Sequence, residues 1–175
     1  HSGIDLALEW AGELADDELE SLDVYTYGVA MDIVPDPEPK TPYQAKFSYP
    51  FVLAWALEHG SLDARSFAPE SLADERVRAL LPRIAMHHEP AFDALYPQAY
   101  AVRLVLRTRS GRVLEALREH PKGSAQNPMS DGEMAAKVTS MLGESLAERL
   151  IAHVRSVGKG PWIDLRALVE APVEA

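Results

Sequence analysis

Residues 99–118 read A-Y-A-V-R-L-V-L-R-T-R-S-G-R-V-L-E-A-L-R, and this stretch decides the fold class. In its first half Tyr100, Val102, Leu104 and Leu106 alternate with Arg103 and Arg107. A period of two puts the two sets on opposite faces of a β-strand. Ser110-Gly111 then supplies a tight turn, and Arg112–Arg118 returns as a second strand, so the segment predicts a hairpin.

Further strands flank it. Arg83–His88 is one. Leu22–Val34 is another, because Val24, Tyr25, Thr26, Tyr27 and Val29 suit a pleated surface. Pro35, Pro37 and Pro39 end that run, and Asp36–Thr41 reads as an extended loop. Between the strands lies F-V-L-A-W-A-L at residues 51–57, apolar on every side. Pro50 suits a first helical turn, Ser48 is a candidate N-cap and Gly60 a stop. This predicts a buried helix over Tyr49–His59. A first helix is expected over Ile4–Leu14, with Ile4, Leu8 and Ala11 on one face. Asp74–Leu81 reads as a short amphipathic helix.

Downstream, Ser130 and Glu133 form a capping box before a helix whose apolar face is Met134, Val138, Met141 and Leu142. Gly143 breaks it. Leu146, Leu150, Ile151, Val154 and Val157 mark a last helix, ended by Gly158 and Gly160-Pro161. The tail after Ala171 is expected to fray. Hairpin-joined strands with flanking helices predict an α+β fold. It has two layers, a mostly antiparallel sheet with helices packed on it, and forms a single domain over residues 1–171.

Composition excludes several function classes. The 175 residues are 47% hydrophobic and 25% charged, ordinary for a globular domain. Acidic residues number 27 against 17 basic, a net charge of −10. That disfavours nucleic acid and anionic membrane surfaces as partners. No apolar run reaches the roughly 20 residues of a membrane span, and no signal peptide is visible, which fits a cytoplasmic protein. There are no cysteines, hence no thiolate chemistry and no Cys-type metal site. The adjacent His87 and His88 would point to opposite faces of a strand and could not share a metal. No glycine-rich phosphate loop and no nucleophile elbow is present.

Two segments suggest more than scaffold. In Tyr43–Ala54 a polar approach carrying Lys46 and Ser48 runs into the buried helix, whose N-terminal N–H groups suit a carboxylate. In Lys122–Ser130 a glycine-containing loop ends in Asn127-Pro128 and the capping box. On residue types alone, both are also explained as a capped core helix and a positioning turn.

In this order and separation, Gln44–Ala54 with Gly60, and Lys122-Gly123 through Asn127-Pro128-Met129-Ser130 to Lys137, resemble the MmgE/PrpD family. Phe67, Leu72, Asp74, Val77 and Leu80 also fit. The opening His1-Ser2-Gly3-Ile4-Asp5 is similar to the family's entry into its second domain. The resemblance spans about Ile4–Val157. It implies the C-terminal lid domain of an enzyme like 2-methylcitrate dehydratase, cis-aconitate decarboxylase or iminodisuccinate epimerase. The family's N-terminal helical domain, which carries most of its acid/base residues, is absent from this chain. The implied chemistry is metal-free and cofactor-free proton transfer beside a carboxylate, on small di- or tricarboxylates, in a homodimer. His1 matches an acid/base histidine. Phe51 stands where the family has an active-site tyrosine, and phenylalanine cannot donate a proton. Lys46 and Ser48 are candidate carboxylate contacts by physics alone. The isolated chain is expected to be inactive. A different reading is a non-catalytic α+β binding or oligomerisation module.

Overall fold

The computed structural model describes residues 1–14 and 17–157. The expected fraying tail and the Gly158 and Gly160-Pro161 stops lie outside these residues. The chain divides into two compact units, His1–Asn127 and a second that begins at Pro128.

The first unit is built on a four-stranded sheet in the order β2-β1-β3-β4. The strands are β1 (Leu19–Thr26), β2 (Ile84–His88), β3 (Val102–Thr108) and β4 (Val113–Arg118). The hairpin forms as the alternation predicts, β3 pairing antiparallel with β4 from Val102↔Arg118 to Arg107↔Val113. β1 also pairs antiparallel with β3, Val24 opposite Leu104. β2 joins β1 in parallel, from Leu22↔Ile84 to Thr26↔His88. The sheet is thus mixed but mostly antiparallel, and the fold is α+β.

Leu22, Val24, Leu104 and Leu106 project from one sheet face and are fully buried. Two helices cover that face. α1 (Ser2–Ala11) buries Leu6, Ala7 and Trp10. The predicted buried helix is α4 (Tyr49–His59), with eight of its 11 residues buried. The Ser48 side chain caps it by accepting from Phe51 N at 3.2 Å, and Gly60 ends it at φ 63°, a conformation that costs glycine little. The opposite sheet face is polar. Asp23 bonds His87 Nε2 and Arg107, each at 2.8 Å, and Arg103 bonds Glu115 at 3.0 Å while lying over the Tyr25 ring.

The strand expected over Leu22–Val34 differs in both bounds. It starts earlier, at Leu19, and stops at Thr26, whose carbonyl accepts from Glu89 N. The chain then turns into α2 (Gly28–Ile33), because the Asp93 carboxylate takes the Gly28 N–H at 2.7 Å. Val29 and Ile33 remain exposed, so strand propensity there meets no sheet to join. An unforeseen short helix, α3 (Pro42–Lys46), is started by Thr41, whose hydroxyl accepts from Gln44 N. α5 (Glu75–Leu80), capped by Asp74, and α6 (Pro90–Asp93) flank β2 in the chain.

In the second unit α7 (Asp131–Leu142) carries the predicted capping box, and Gly143 (φ 78°) separates it from α8 (Glu144–Ser156). The two helices pack on each other.

Candidate functional site

β1 and β2 run parallel, so their C-terminal ends lie side by side, the usual place for ligand sites beside parallel strands. Tyr27 follows β1, and His88 closes β2. The start of α1 reaches the same end, where Ser2 Oγ donates to the Tyr100 carbonyl at 2.8 Å. His1 is the N-cap position of α1, and its carbonyl accepts from Asp5 N. The first turn of α1 is held by Tyr49. Gly3 N–H donates to the Tyr49 hydroxyl at 3.0 Å, which satisfies a backbone donor that no helical carbonyl can reach. Burial pushes the Tyr49 phenol well above its ordinary pKa, and the Gly3 bond opposes this only in part.

Three more phenols gather here. Tyr27 stacks on Tyr96 at 5.0 Å between ring centroids, and Tyr100 meets both rings edge-on at 6.2 and 5.8 Å. Burial, then Tyr96 and Tyr100, raise the Tyr27 pKa, so its hydroxyl stays protonated. Next to Tyr27, Asp93 grips Gly28 N and, with its other oxygen, His88 Nε2 at 2.8 Å. The Gly28 N–H, then His88, hold the Asp93 carboxyl below its ordinary value. One end of the sheet therefore offers an imidazole paired with a carboxylate and phenols that can donate, groups suited to proton transfer.

The residues singled out from sequence fall differently. Lys46 ends α3 with its side chain exposed, 5.9 Å from the centre of the Phe67 ring, and makes no ion pair among the described residues. Ser48 is buried, and its proton is given to the Asp36 carbonyl while it accepts from Phe51 N. It keeps no donor for a carboxylate. Ser48→Ala removes both bonds and is expected to destabilise the chain by about 1–2 kcal/mol, read from chemical denaturation. Phe51 is 2% exposed, packed beside Phe67 and Trp55 in the core. Tyr49, two residues earlier, is the phenol that meets the His1 segment.

Tyr27, Tyr96, Tyr100 and the His88–Asp93 pair escaped sequence reasoning. The only local hint was aromatic density near strand ends. His87 and His88 do point apart, to Asp23 and to Asp93. Among the described residues no group of three or more His, Asp or Glu side chains could hold a metal, and no helix is long and apolar enough to cross a membrane.

The fold is thus an α+β domain whose mostly antiparallel four-stranded sheet has the start of α1 pinned at the C-terminal end of β1. Residues 1–157 match the MmgE/PrpD C-terminal domain, and the chain belongs to the MmgE/PrpD family. The match runs through both compact units. No curated protein matches the chain.

Proposed function

We propose that this chain is the lid domain of an MmgE/PrpD-like lyase or epimerase that acts on small di- or tricarboxylates by metal-free acid/base chemistry. The family match over residues 1–157 carries this reading. An N-terminal helical domain completes the site, and the enzyme works as a cytoplasmic homodimer, as the family resemblance implies. His1 serves as an acid/base group on a helix whose first turn Tyr49 holds in place. A fixed backbone matters, because proton transfer depends on reach and angle. Lys46, exposed and without an ion pair among the described residues, supplies positive charge for a substrate carboxylate.

Phe51 lacks the phenol found at the matching position in the family, and it is buried. The proton donor would then come from the tyrosines near His1. That same substitution favours the second reading, a binding or oligomerisation module without catalysis.

The test is an assay of the isolated chain with 2-methylcitrate, citrate, cis-aconitate and iminodisuccinate, with and without a family N-terminal helical domain supplied in trans. No turnover by the chain alone and turnover with the added domain are expected. His1→Ala should then lower the rate by about 10²–10⁴-fold, the usual worth of a general acid or base. Turnover by the chain alone, or none under either condition, counts against the lid assignment.

A further inference from the structure

A cavity of about 430 Å³ opens at the other end of β1, away from Tyr27. Its volume lies in the range of small-ligand sites, roughly 300–1,000 Å³. Leu14, Leu19, Leu57 and Leu80 supply an apolar wall from four different segments. Three acidic residues also line it, and each is engaged. Asp17 spends both oxygens on Ser110, Glu18 pairs with Arg109 at 2.6 Å, and Glu58 pairs with Arg76.

Arg83 differs. It is half-buried, and one of its N–H groups donates to the Leu19 carbonyl, which orients the guanidinium. Its remaining donors have no partner among the described residues. A guanidinium carries five donors in a fixed fork that matches a carboxylate. None of the Arg83 nitrogens is among the fully buried unpartnered atoms of the described residues, so this fork stays accessible to a ligand that enters the cavity.

We propose that this cavity is a binding site for a small aliphatic monocarboxylate, its chain against Leu14, Leu19, Leu57 and Leu80 and its carboxylate on Arg83. The site is separate from the His1 end of the sheet and does not depend on the lid assignment. The apolar wall favours a ligand with one aliphatic stem over a di- or tricarboxylate. A single anionic head matches Arg83, the one lining cation among the described residues that is not already paired with an acid.

Hexanoate is the probe, with 1-hexanol and hexylamine as controls, and the 175-residue chain is the protein. Binding is read from the methyl resonances of Leu14, Leu57 and Leu80 during titration. Saturable shifts of these methyls with hexanoate are expected, with 1-hexanol at least about tenfold weaker, as the loss of a charge-assisted bond implies. Arg83→Met keeps the stem and removes the fork, so it should weaken hexanoate about tenfold and leave 1-hexanol unchanged. Ala79→Trp, a substitution at an exposed lining position, should block both ligands. Equal affinity for hexanoate and 1-hexanol in the unmodified chain would overturn the proposal even if a variant failed to fold. So would tighter binding of hexylamine, or no methyl shifts with hexanoate.

Discussion

Phe51→Ala is expected to lower stability by about 3–5 kcal/mol, the largest single loss anticipated in this protein. The ring is 2% exposed and is among the largest fully buried side chains. Its neighbours come from separate segments, Trp55 one turn along α4 at 6.1 Å between ring centroids and Phe67 across the core at 6.5 Å. Truncation removes the apolar area and leaves a void that helix backbones cannot collapse to fill. Phe51→Tyr separates two views of this position. With the ring deep in core, the added hydroxyl is buried without a partner and costs about 1–3 kcal/mol. Were the ring edge open to a polar site, the hydroxyl would be hydrated and nearly neutral. Urea denaturation followed by tryptophan fluorescence decides. An unchanged midpoint for Phe51→Tyr would place the ring edge at a wet surface and revive the position as part of a site.

Gly3 and Tyr49 form the second test, a double-mutant cycle. A methyl group on Gly3 would lie 2.4 Å from the Tyr49 hydroxyl oxygen and 3.1 Å from the ring carbon that bears it. Gly3→Ala must therefore displace a buried ring from a packed core, at about 1–3 kcal/mol. Tyr49→Phe removes the hydroxyl and strands the buried Gly3 N–H, at a similar cost of about 1–3 kcal/mol. The double variant places the new methyl where the hydroxyl was. It should therefore be more stable than the sum of the singles predicts, with a coupling of about 0.5–3 kcal/mol. Strict additivity would mean that the hydroxyl is not what holds the start of α1. This contact fixes the helix that carries His1, so its loss would loosen the proposed proton-transfer group as well as the fold.

The strongest sequence signals were those held by local chemistry. The arginine–leucine alternation around Ser110-Gly111 became β3 and β4, and Ser48 and Gly60 bracket α4 as their residue types require. The Ser130–Glu133 box opens α7. What escaped was decided at a distance. Nothing near Ile84 says that it will lie parallel to Leu22, because a parallel partner leaves no turn between the strands. Nothing near Val29 says that Asp93, far along the chain, will pull Gly28 into a helix. The site shows the same division. Lys46 and Ser48 could be named from residue type, but a serine that serves as a cap looks in sequence like a serine that binds a ligand. The phenols Tyr27, Tyr96 and Tyr100 come together only through the sheet order.

The parallel pairing of β1 and β2 bears on the order in which the chain can fold. The β3–β4 hairpin needs only its own short turn and can form within microseconds. Zipping β2 onto β1 instead requires residues 27–83 to be gathered first, with the entropy of closing that long crossover met before any pairing rewards it. Among the described residues β2 is an edge strand, hydrogen-bonded on one side to β1. It is therefore positioned to arrive late and to detach early. His88 ends this strand, and Asp93 and Tyr96 follow it. A partial opening that releases β2 would scatter the histidine–carboxylate pair and the tyrosine cluster while the hairpin persists.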